Sequence, residues 1–216
     1  MLQLPFDPMA RLAPFLAATL LLAGCGASAA RVEAPPPAKA LFAGGRVSPP
    51  HQAPAISLHD ASGAPVTLAG QRGRYVLVTF LYTHCPDVCP LIASNLNGAV
   101  RALGARGRNV RVLAISVDPK GDTPAAVRAY VKRMGLVPQF RYLIGSPGEL
   151  KRAWAAWHVL SVKQSAGVID HIAYTALVDP AGKERVLYGS AVHARDVVHD
   201  LRVLMHDADA AGSPPK

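Results

Sequence analysis

The chain has 216 residues and a formal net charge of +9; 50% of its residues are hydrophobic and 17% are charged. This hydrophobic content excludes a disordered polyelectrolyte, and the length suits one domain of common size with appended segments. The 19 prolines and 18 glycines follow no Gly-X-Y period, and no segment recurs at a fixed interval. Collagen and solenoid architectures are therefore excluded.

Residues 1–24 have the features of a bacterial export signal. An apolar run over residues 12–23 is shorter than the roughly 20 residues that a helix needs to cross a bilayer. The run ends in Leu-Ala-Gly-Cys25, which resembles a lipoprotein lipobox and predicts lipidation of Cys25 on the periplasmic side of the membrane. The alternative is ordinary cleavage after residues 27–29, which would remove Cys25. Because both routes predict export, we expect the positive charge to favour a membrane surface and not nucleic acid.

Residues 25–54 predict a tether that follows this signal. They are rich in Ala, Pro and Gly and show no sustained apolar periodicity. A folded domain is expected over residues 55–207 and a flexible tail over residues 208–216. A diacylated Cys25 would hold the domain at the membrane surface.

The domain is predicted to alternate strands and helices along the chain. The predicted strands cover residues 56–60, 66–68, 75–82, 110–117, 140–144, 173–178 and 184–188. The predicted helices include residues 92–103, 124–134, 147–157 and 197–204. Continuous β-branched and aromatic residues over 75–82 indicate a strand buried on both faces. The element order predicts an α/β, thioredoxin-like fold with a central mixed sheet flanked by helices.

Cys85 and Cys89 lie where the buried strand leads into the first helix. Unpaired amides and the dipole at a helix start favour thiolate, so the pair is predicted to be reactive. A spacing of four residues puts both sulfurs on one helical face, close enough for a disulfide or for a shared metal ion. A purely stabilising disulfide is a weaker interpretation, because it would close a very short loop.

Two features favour metal binding over general disulfide exchange: the spacing of the cysteines and the position of one histidine. Three residues separate the cysteines, whereas the thioredoxin motif has two. Two thiolates and an imidazole suit a soft ion, above all Cu(I). His171 directly precedes the predicted strand 173–178, in a loop that should return beside the cysteines and that carries a cis-proline in thioredoxins. His84 is the weaker ligand candidate, because adjacent side chains diverge at a strand-to-helix turn.

Residues 80–90, FLYTHCPDVCP, resemble the signature of the Sco/SenC family, the copper-binding assembly factors of cytochrome c oxidase. The resemblance covers about residues 43–205 and implies a thioredoxin-like fold with copper as the bound metal. The copper ligands that it implies are Cys85, Cys89 and His171. It also implies Asp118 as a nearby functional acid, although Val-Asp-Pro at a strand end is equally typical of an ordinary turn.

The role that the resemblance implies is that of a metallochaperone and not of an enzyme. It would deliver copper to the binuclear site of an oxidase subunit, or to another exported copper acceptor. A thiol-disulfide reductase that keeps acceptor cysteines reduced is the main alternative, with Cys85 and Cys89 as its redox-active pair. Zinc at the same two cysteines and one histidine is a further possibility.

Overall fold

The computed structural model describes residues 40–159, 161–163, 169–171 and 173–212, with side chains over residues 40–159 and 173–206. The predicted export signal, Cys25 and the first part of the predicted tether lie outside these residues. None of the described helices combines the length and the hydropathy that a membrane span requires.

The described residues form an α/β structure that contains the predicted elements in the predicted order, together with three short strands that were not predicted. The strands are β1 (Gly45–Arg46), β2 (Ser57–Asp60), β3 (Pro65–Thr67), β4 (Tyr75–Leu81), β5 (Val110–Ser116), β6 (Phe140–Ile144), β7 (Ser161–Lys163), β8 (Ile169–His171), β9 (Thr175–Val178) and β10 (Glu184–Tyr188). The helices are α1 (Val88–Ala102), α2 (Pro124–Arg133), α3 (Pro147–Ala156) and α4 (Ala194–Gly212).

One mixed sheet holds eight of these strands, in the order β1-β10-β9-β4-β5-β6-β2-β3. The central strands β4, β5 and β6 run parallel, and β9 runs antiparallel to β4. β7 and β8 pair with each other in a separate antiparallel hairpin. The predicted mixed sheet flanked by helices is therefore confirmed.

The core is built around β4, which is buried along its whole length. This is the burial that a continuous apolar run predicts for a central strand covered on both faces. Helix α1 contributes Ile92 and Leu96, both fully buried, and packs beside α4. On β4, Phe80 contacts the ring of Trp157, with 6.1 Å between the centroids. Each such buried side chain contributes about 1.5–3 kcal/mol to stability.

Local signals set the ends of α2 where the sequence predicts them. The Thr123 hydroxyl accepts a hydrogen bond from the Ala126 N–H at 3.2 Å, and Pro124 occupies the first helical position. The chain leaves the helix at Gly135, whose φ of +56° favours glycine. A capping hydroxyl, a proline and a glycine thus define this helix independently of the rest of the fold.

The folded part extends beyond both predicted domain boundaries. Phe42 is buried, β1 pairs with β10, and Gln52 bridges to Lys183, so residues 40–54 pack on the sheet instead of forming tether. At the other end α4 continues to Gly212, past residue 207. Composition does not reveal the first extension, because a two-residue strand has no periodicity. The extension of α4 agrees with the alanines after residue 207, because alanine favours helix.

The hairpin of β7 and β8 is also absent from the predicted elements. His171 is the last residue of β8 and stands opposite Ser161 of β7. It therefore ends a short strand instead of lying in a loop. Strands of three residues are too short to show the alternation on which strand prediction depends.

Candidate metal centre

Cys85 and Cys89 bracket the start of α1, directly after β4. Cys89 is fully buried and Cys85 is half-buried, and both are free thiols. The Cys89 N–H donates a hydrogen bond to Cys85 Sγ at 3.4 Å. The side chain of the N-cap residue Asp87 accepts no hydrogen bond from the first turn of the helix. The sulfur of Cys85 instead accepts the hydrogen bond from one of the N–H groups that a capping side chain would otherwise satisfy. The two sulfurs thus share the helix start, as their spacing predicts.

The two cysteines differ in pKa, because the thiol of Cys89 donates a hydrogen bond to Cys85. A hydrogen bond from the Cys89 side chain outweighs burial and, with the N–H groups of Asp87 and Cys89, lowers the pKa of Cys85 from 9.0 to about 5. The same hydrogen bond, together with burial, raises the pKa of Cys89 above its ordinary value. At neutral pH Cys85 is therefore a thiolate and Cys89 a thiol that donates to it. A half-exposed thiolate is both a nucleophile and a soft metal ligand.

A buried carboxylate, Asp122, holds the loop that carries the cysteines. Its oxygens accept hydrogen bonds from the Thr83 N–H at 2.8 Å and the Thr83 hydroxyl at 2.7 Å. They also accept from the Ser116 hydroxyl at 2.6 Å and the Tyr142 hydroxyl at 3.0 Å. Burial raises the pKa of Asp122 even though these four donors lower it. Asp122 therefore ties the cysteine loop to the end of β5 and to the middle of β6.

Sequence reasoning did not select Asp122 as a site residue. It stands between Gly121 and Thr123, in a stretch that resembles an ordinary loop before a helix. Its partners come from three separate parts of the chain. Burial of a carboxylate at this position has no local sequence signal, so only the folded arrangement identifies it.

Asp118 and His84 approach each other at Gly121. A Cβ atom on Gly121 would lie 2.2 Å from Asp118 Oδ2 and 3.4 Å from His84 Nδ1. His84 precedes Cys85, so Asp118 and the cysteine loop both lie beside Gly121. Asp118 also accepts the Lys120 N–H at 3.3 Å, as a turn residue does. Both interpretations of Asp118 are thus compatible with its position, and Gly121 is the residue that makes room for it.

The backbone brings His171 to the same end of the sheet as the cysteines. Thr175 of β9 stands opposite Thr79 of β4, and the Thr79 hydroxyl donates to the Tyr174 carbonyl at 3.2 Å. Because β4 runs towards Cys85 and β9 runs antiparallel to it, the residues before β9 lie at the cysteine end. The His171 side chain lies outside the described part of the structure, so its role as a ligand stays a prediction. Among the side chains that are described, no three His, Cys, Asp or Glu residues form a cluster able to hold a metal ion.

Comparison with known proteins matches most of the chain to one family. The sequence model of the SCO1/SenC family matches residues 47–206. The SCO2-like protein RT0576 of Rickettsia typhi is 27% identical to this chain, over 68% of the chain and 75% of that protein. The mouse mitochondrial SCO2 homolog is 33% identical, over 68% of the chain and 60% of that protein. SenC of Rhodobacter capsulatus is 33% identical, over 55% of the chain and 59% of that protein. The chain thus spans less than two thirds of the last two relatives.

Solved structures match the fold over most of the described residues. Bradyrhizobium japonicum ScoI with copper bound matches with a TM-score of 0.63 and 29% identity, over 71% of this chain and 99% of that one. Arabidopsis thaliana ScoI with copper bound matches with a TM-score of 0.66 and 28% identity, over 73% and 99%. Apo Sco1 from Thermus thermophilus matches with a TM-score of 0.66 and 32% identity, over 76% and 96%. These matches confirm the predicted thioredoxin-like fold.

Proposed function

Because the chain belongs to the SCO1/SenC family, we propose that it binds copper through Cys85, Cys89 and His171 and delivers it for assembly of the binuclear copper site of cytochrome c oxidase. The observation that carries this proposal is the Cys85 thiolate, half-exposed at the helix start and hydrogen-bonded to the Cys89 thiol and N–H. The Bradyrhizobium and Arabidopsis relatives were solved with copper bound, which supports copper as the metal.

The donor set of the site fits Cu(I). Thiolate sulfur selects this soft ion over harder competitors. Cys85 is already deprotonated at neutral pH, whereas Cys89 must release its proton before it can ligate. We therefore expect copper uptake to release a proton from Cys89, which offsets part of the binding free energy.

Release to an acceptor follows from the same arrangement. Two sulfurs and one imidazole leave an open side on the ion, and Cys85 is the more exposed of the two sulfurs. An acceptor thiolate forms a bond to copper as the bonds from this chain break. The oxidation state of copper does not change, so no electron donor is needed.

The imidazole of His171 would complete the site and extend it to Cu(II). The backbone of β8 ends at the cysteine end of the sheet, which supports this assignment. Nitrogen is a harder donor than sulfur, so we expect His171 to matter more for Cu(II) than for Cu(I).

We further propose that the chain is exported and lipid-anchored through Cys25 on the periplasmic face of a bacterial membrane. The lipobox-like sequence supports the anchor, and the net charge of +9 supports attraction to anionic headgroups. The acceptor would then be the copper-site subunit of an oxidase or another exported protein.

Anaerobic Cu(I) titration of the reduced chain against a competing chelator, followed by Cu(II) spectroscopy, tests the ligand set. We expect Cys85→Ser and Cys89→Ser to abolish tight Cu(I) binding. His171→Ala should abolish Cu(II) binding and weaken Cu(I) binding less. His84→Ala is the matched control, since it removes a histidine beside the cysteines and should leave both metals bound. If His171→Ala takes up Cu(II) as strongly as its parent, His171 is not a ligand.

The reductase and zinc alternatives are tested with the same protein. Rapid reduction of an insulin disulfide by the metal-free protein, together with Cu(I) binding no tighter than that of Cys85→Ser, would favour the reductase. Zinc that resists displacement by Cu(I) would favour a zinc site. We expect slow disulfide turnover and complete displacement of zinc.

A further inference from the structure

A cleft of about 640 Å³, here called the basic cleft, lies along α4 and is unrelated to the cysteine loop. Its charged residues are Arg106, Arg195 and Arg202, and its apolar residues are Leu41, Val198 and Val203. All three arginines are exposed, as is Leu41, with 54% of its surface accessible. The basic cleft is therefore lined by both apolar and positively charged side chains.

Two of the three arginines of the basic cleft have no acidic partner among the described side chains. Arg195 makes one ion pair, with Asp196 at 3.4 Å, and that guanidinium remains largely exposed. Among the described side chains, neither Arg106 nor Arg202 takes part in an ion pair. Such guanidinium groups are suited to phosphate, which they bind through paired N–H donors.

The N-terminal segment enters the fold beside the basic cleft. Asp200, fully buried on α4, accepts hydrogen bonds from the Ala43 N–H at 2.7 Å and the Gly44 N–H at 3.0 Å. These bonds hold the adjoining Leu41 at the edge of the cleft. The residues before position 40, which include the predicted lipidation site Cys25, therefore join the domain at this point.

One part of the basic cleft, around Arg106 and the C-terminal half of α4, lies at the end of the sheet opposite the cysteines. The Tyr75 hydroxyl donates to the Leu204 carbonyl of α4 at 3.0 Å, and Val110, which follows the turn containing Arg106, pairs with Tyr75. Tyr75 begins β4, whereas Cys85 follows its end. At about 3.3 Å per residue the strand separates the two ends by roughly 20 Å. That part of the cleft is therefore remote from the cysteines.

We propose that the basic cleft docks on the anionic phospholipid headgroups of a membrane; this inference rests on the proposed lipid anchor at Cys25, which would tether the chain there. The arginines would bind lipid phosphates, and Leu41 would enter the boundary between headgroups and acyl chains. The 14 residues from 26 to 39 separate Cys25 from the described domain. A chain of this length reaches at most about 50 Å, so an anchor at Cys25 keeps the cleft within reach of the surface. A second copy of the chain is a poorer occupant, because two clefts of equal charge repel each other.

Docking would hold the exposed face of α4 at the bilayer surface. The proposal goes beyond copper binding and depends on none of the copper ligands. Loss of the proposed copper function and loss of docking are therefore separate outcomes.

Arginine-specific labelling with phenylglyoxal tests the proposal on the full chain. The protein is reconstituted with vesicles of phosphatidylcholine alone, or of phosphatidylcholine with phosphatidylglycerol, so that any anchor acts equally in both. Mass spectrometry then measures the labelling rate at each arginine. We expect a several-fold decrease at Arg106, Arg195 and Arg202 that requires phosphatidylglycerol and is reversed by high salt. Arg152, exposed on α3, serves as the internal control and should not change.

Two variants of equal charge sharpen this test. The double variant Arg106→Gln and Arg202→Gln should restore fast labelling of Arg195 on anionic vesicles. Arg152→Gln paired with Arg128→Gln on α2 should leave its protection intact. Equal protection of Arg152, or no protection at all, would overturn the proposal. Protection without anionic lipid would also overturn it and would assign the cleft to a second copy or to another part of the chain.

Discussion

Asp122 accepts two hydrogen bonds from a single residue, Thr83, through its backbone N–H at 2.8 Å and its hydroxyl at 2.7 Å. Thr83 lies two positions before Cys85, so the carboxylate fixes the backbone that leads into the cysteine pair. The carboxylate is itself held by the hydroxyls of Ser116 and Tyr142. The backbone before the cysteine pair thus depends on a carboxylate whose oxygens accept hydrogen bonds from three other residues.

Replacing Asp122 with Asn should loosen the cysteine loop. An amide presents N–H donors to hydroxyls that now donate to a carboxylate, so some of these buried groups lose their partners. We expect a decrease of about 1–3 kcal/mol in the free energy of unfolding, measured by urea denaturation. We also expect Cu(I) to be lost faster to a chelator. Asp196→Asn is the matched control, since it makes the same substitution on α4, outside the cysteine loop. A destabilised variant with unchanged Cu(I) retention would make Asp122 a purely structural residue.

The thiol of Cys85 should titrate at a pH far below that of an ordinary cysteine. Hydrogen bonding from Cys89 lowers the pKa of Cys85 to about 5, so its rate of alkylation by iodoacetamide should rise with pH through about 5 and reach a plateau before pH 7. Mass spectrometry of metal-free, reduced protein locates the label. A rate that still rises steeply between pH 7 and pH 9 would contradict this assignment.

The hydrogen bond from Cys89 accounts for this low pKa, and two variants separate it from the helix start. Cys89→Ala removes the side-chain donor and should raise the pKa of Cys85 towards its ordinary value of 9.0. Cys89→Ser keeps a donor and should raise the pKa less. If both variants kept a pKa near 5, the backbone N–H groups and the Tyr82 hydroxyl would hold the thiolate without the Cys89 side chain.

We expect Asp200 to hold the backbone of Ala43 and Gly44 in place on the fold. Asp200→Ala leaves the N–H groups of Ala43 and Gly44 and the Tyr188 hydroxyl without their acceptor. We expect a loss of about 2–5 kcal/mol in the free energy of unfolding, with faster hydrogen exchange at the Ala43 and Gly44 amides. His199→Ala, which alters an exposed partner of the same carboxylate, should have a much smaller effect. Unchanged exchange at both amides would contradict this role of Asp200.

Asp60 should contribute stability that disappears in acid. Burial raises its pKa, but hydrogen bonds from Ser62, Arg141 and the Ala64 N–H together lower it to about 2. Since the folded pKa lies below the ordinary value of 3.8, the contribution is complete above about pH 4 and is lost as pH falls towards 2. Asp60→Asn should therefore have a lower Tm than the parent at pH 6, and the difference should shrink by pH 2. A constant difference would show that the carboxylate charge is not involved.

Much of the central fold follows from local patterns in the chain. The apolar run over residues 75–82 predicts β4 and its complete burial, and the capping signals at Thr123 and Gly135 predict the limits of α2. These features depend on residues a few positions apart, whose backbone preferences act before any tertiary contact forms. The two cysteines are recognisable for the same reason, because a buried strand followed by a helix start places them.

Other features exist only because distant residues meet. Ala43 and Asp200 are 157 positions apart, and Thr83 and Asp122 are 39 positions apart. No local preference marks an aspartate that will be buried, and strands of two or three residues carry no periodicity. The backbone order of residues 40–54, the support of the cysteine loop and the basic cleft therefore come from tertiary packing. Buried polar groups must find partners wherever the fold supplies them, and a linear pattern does not contain that information.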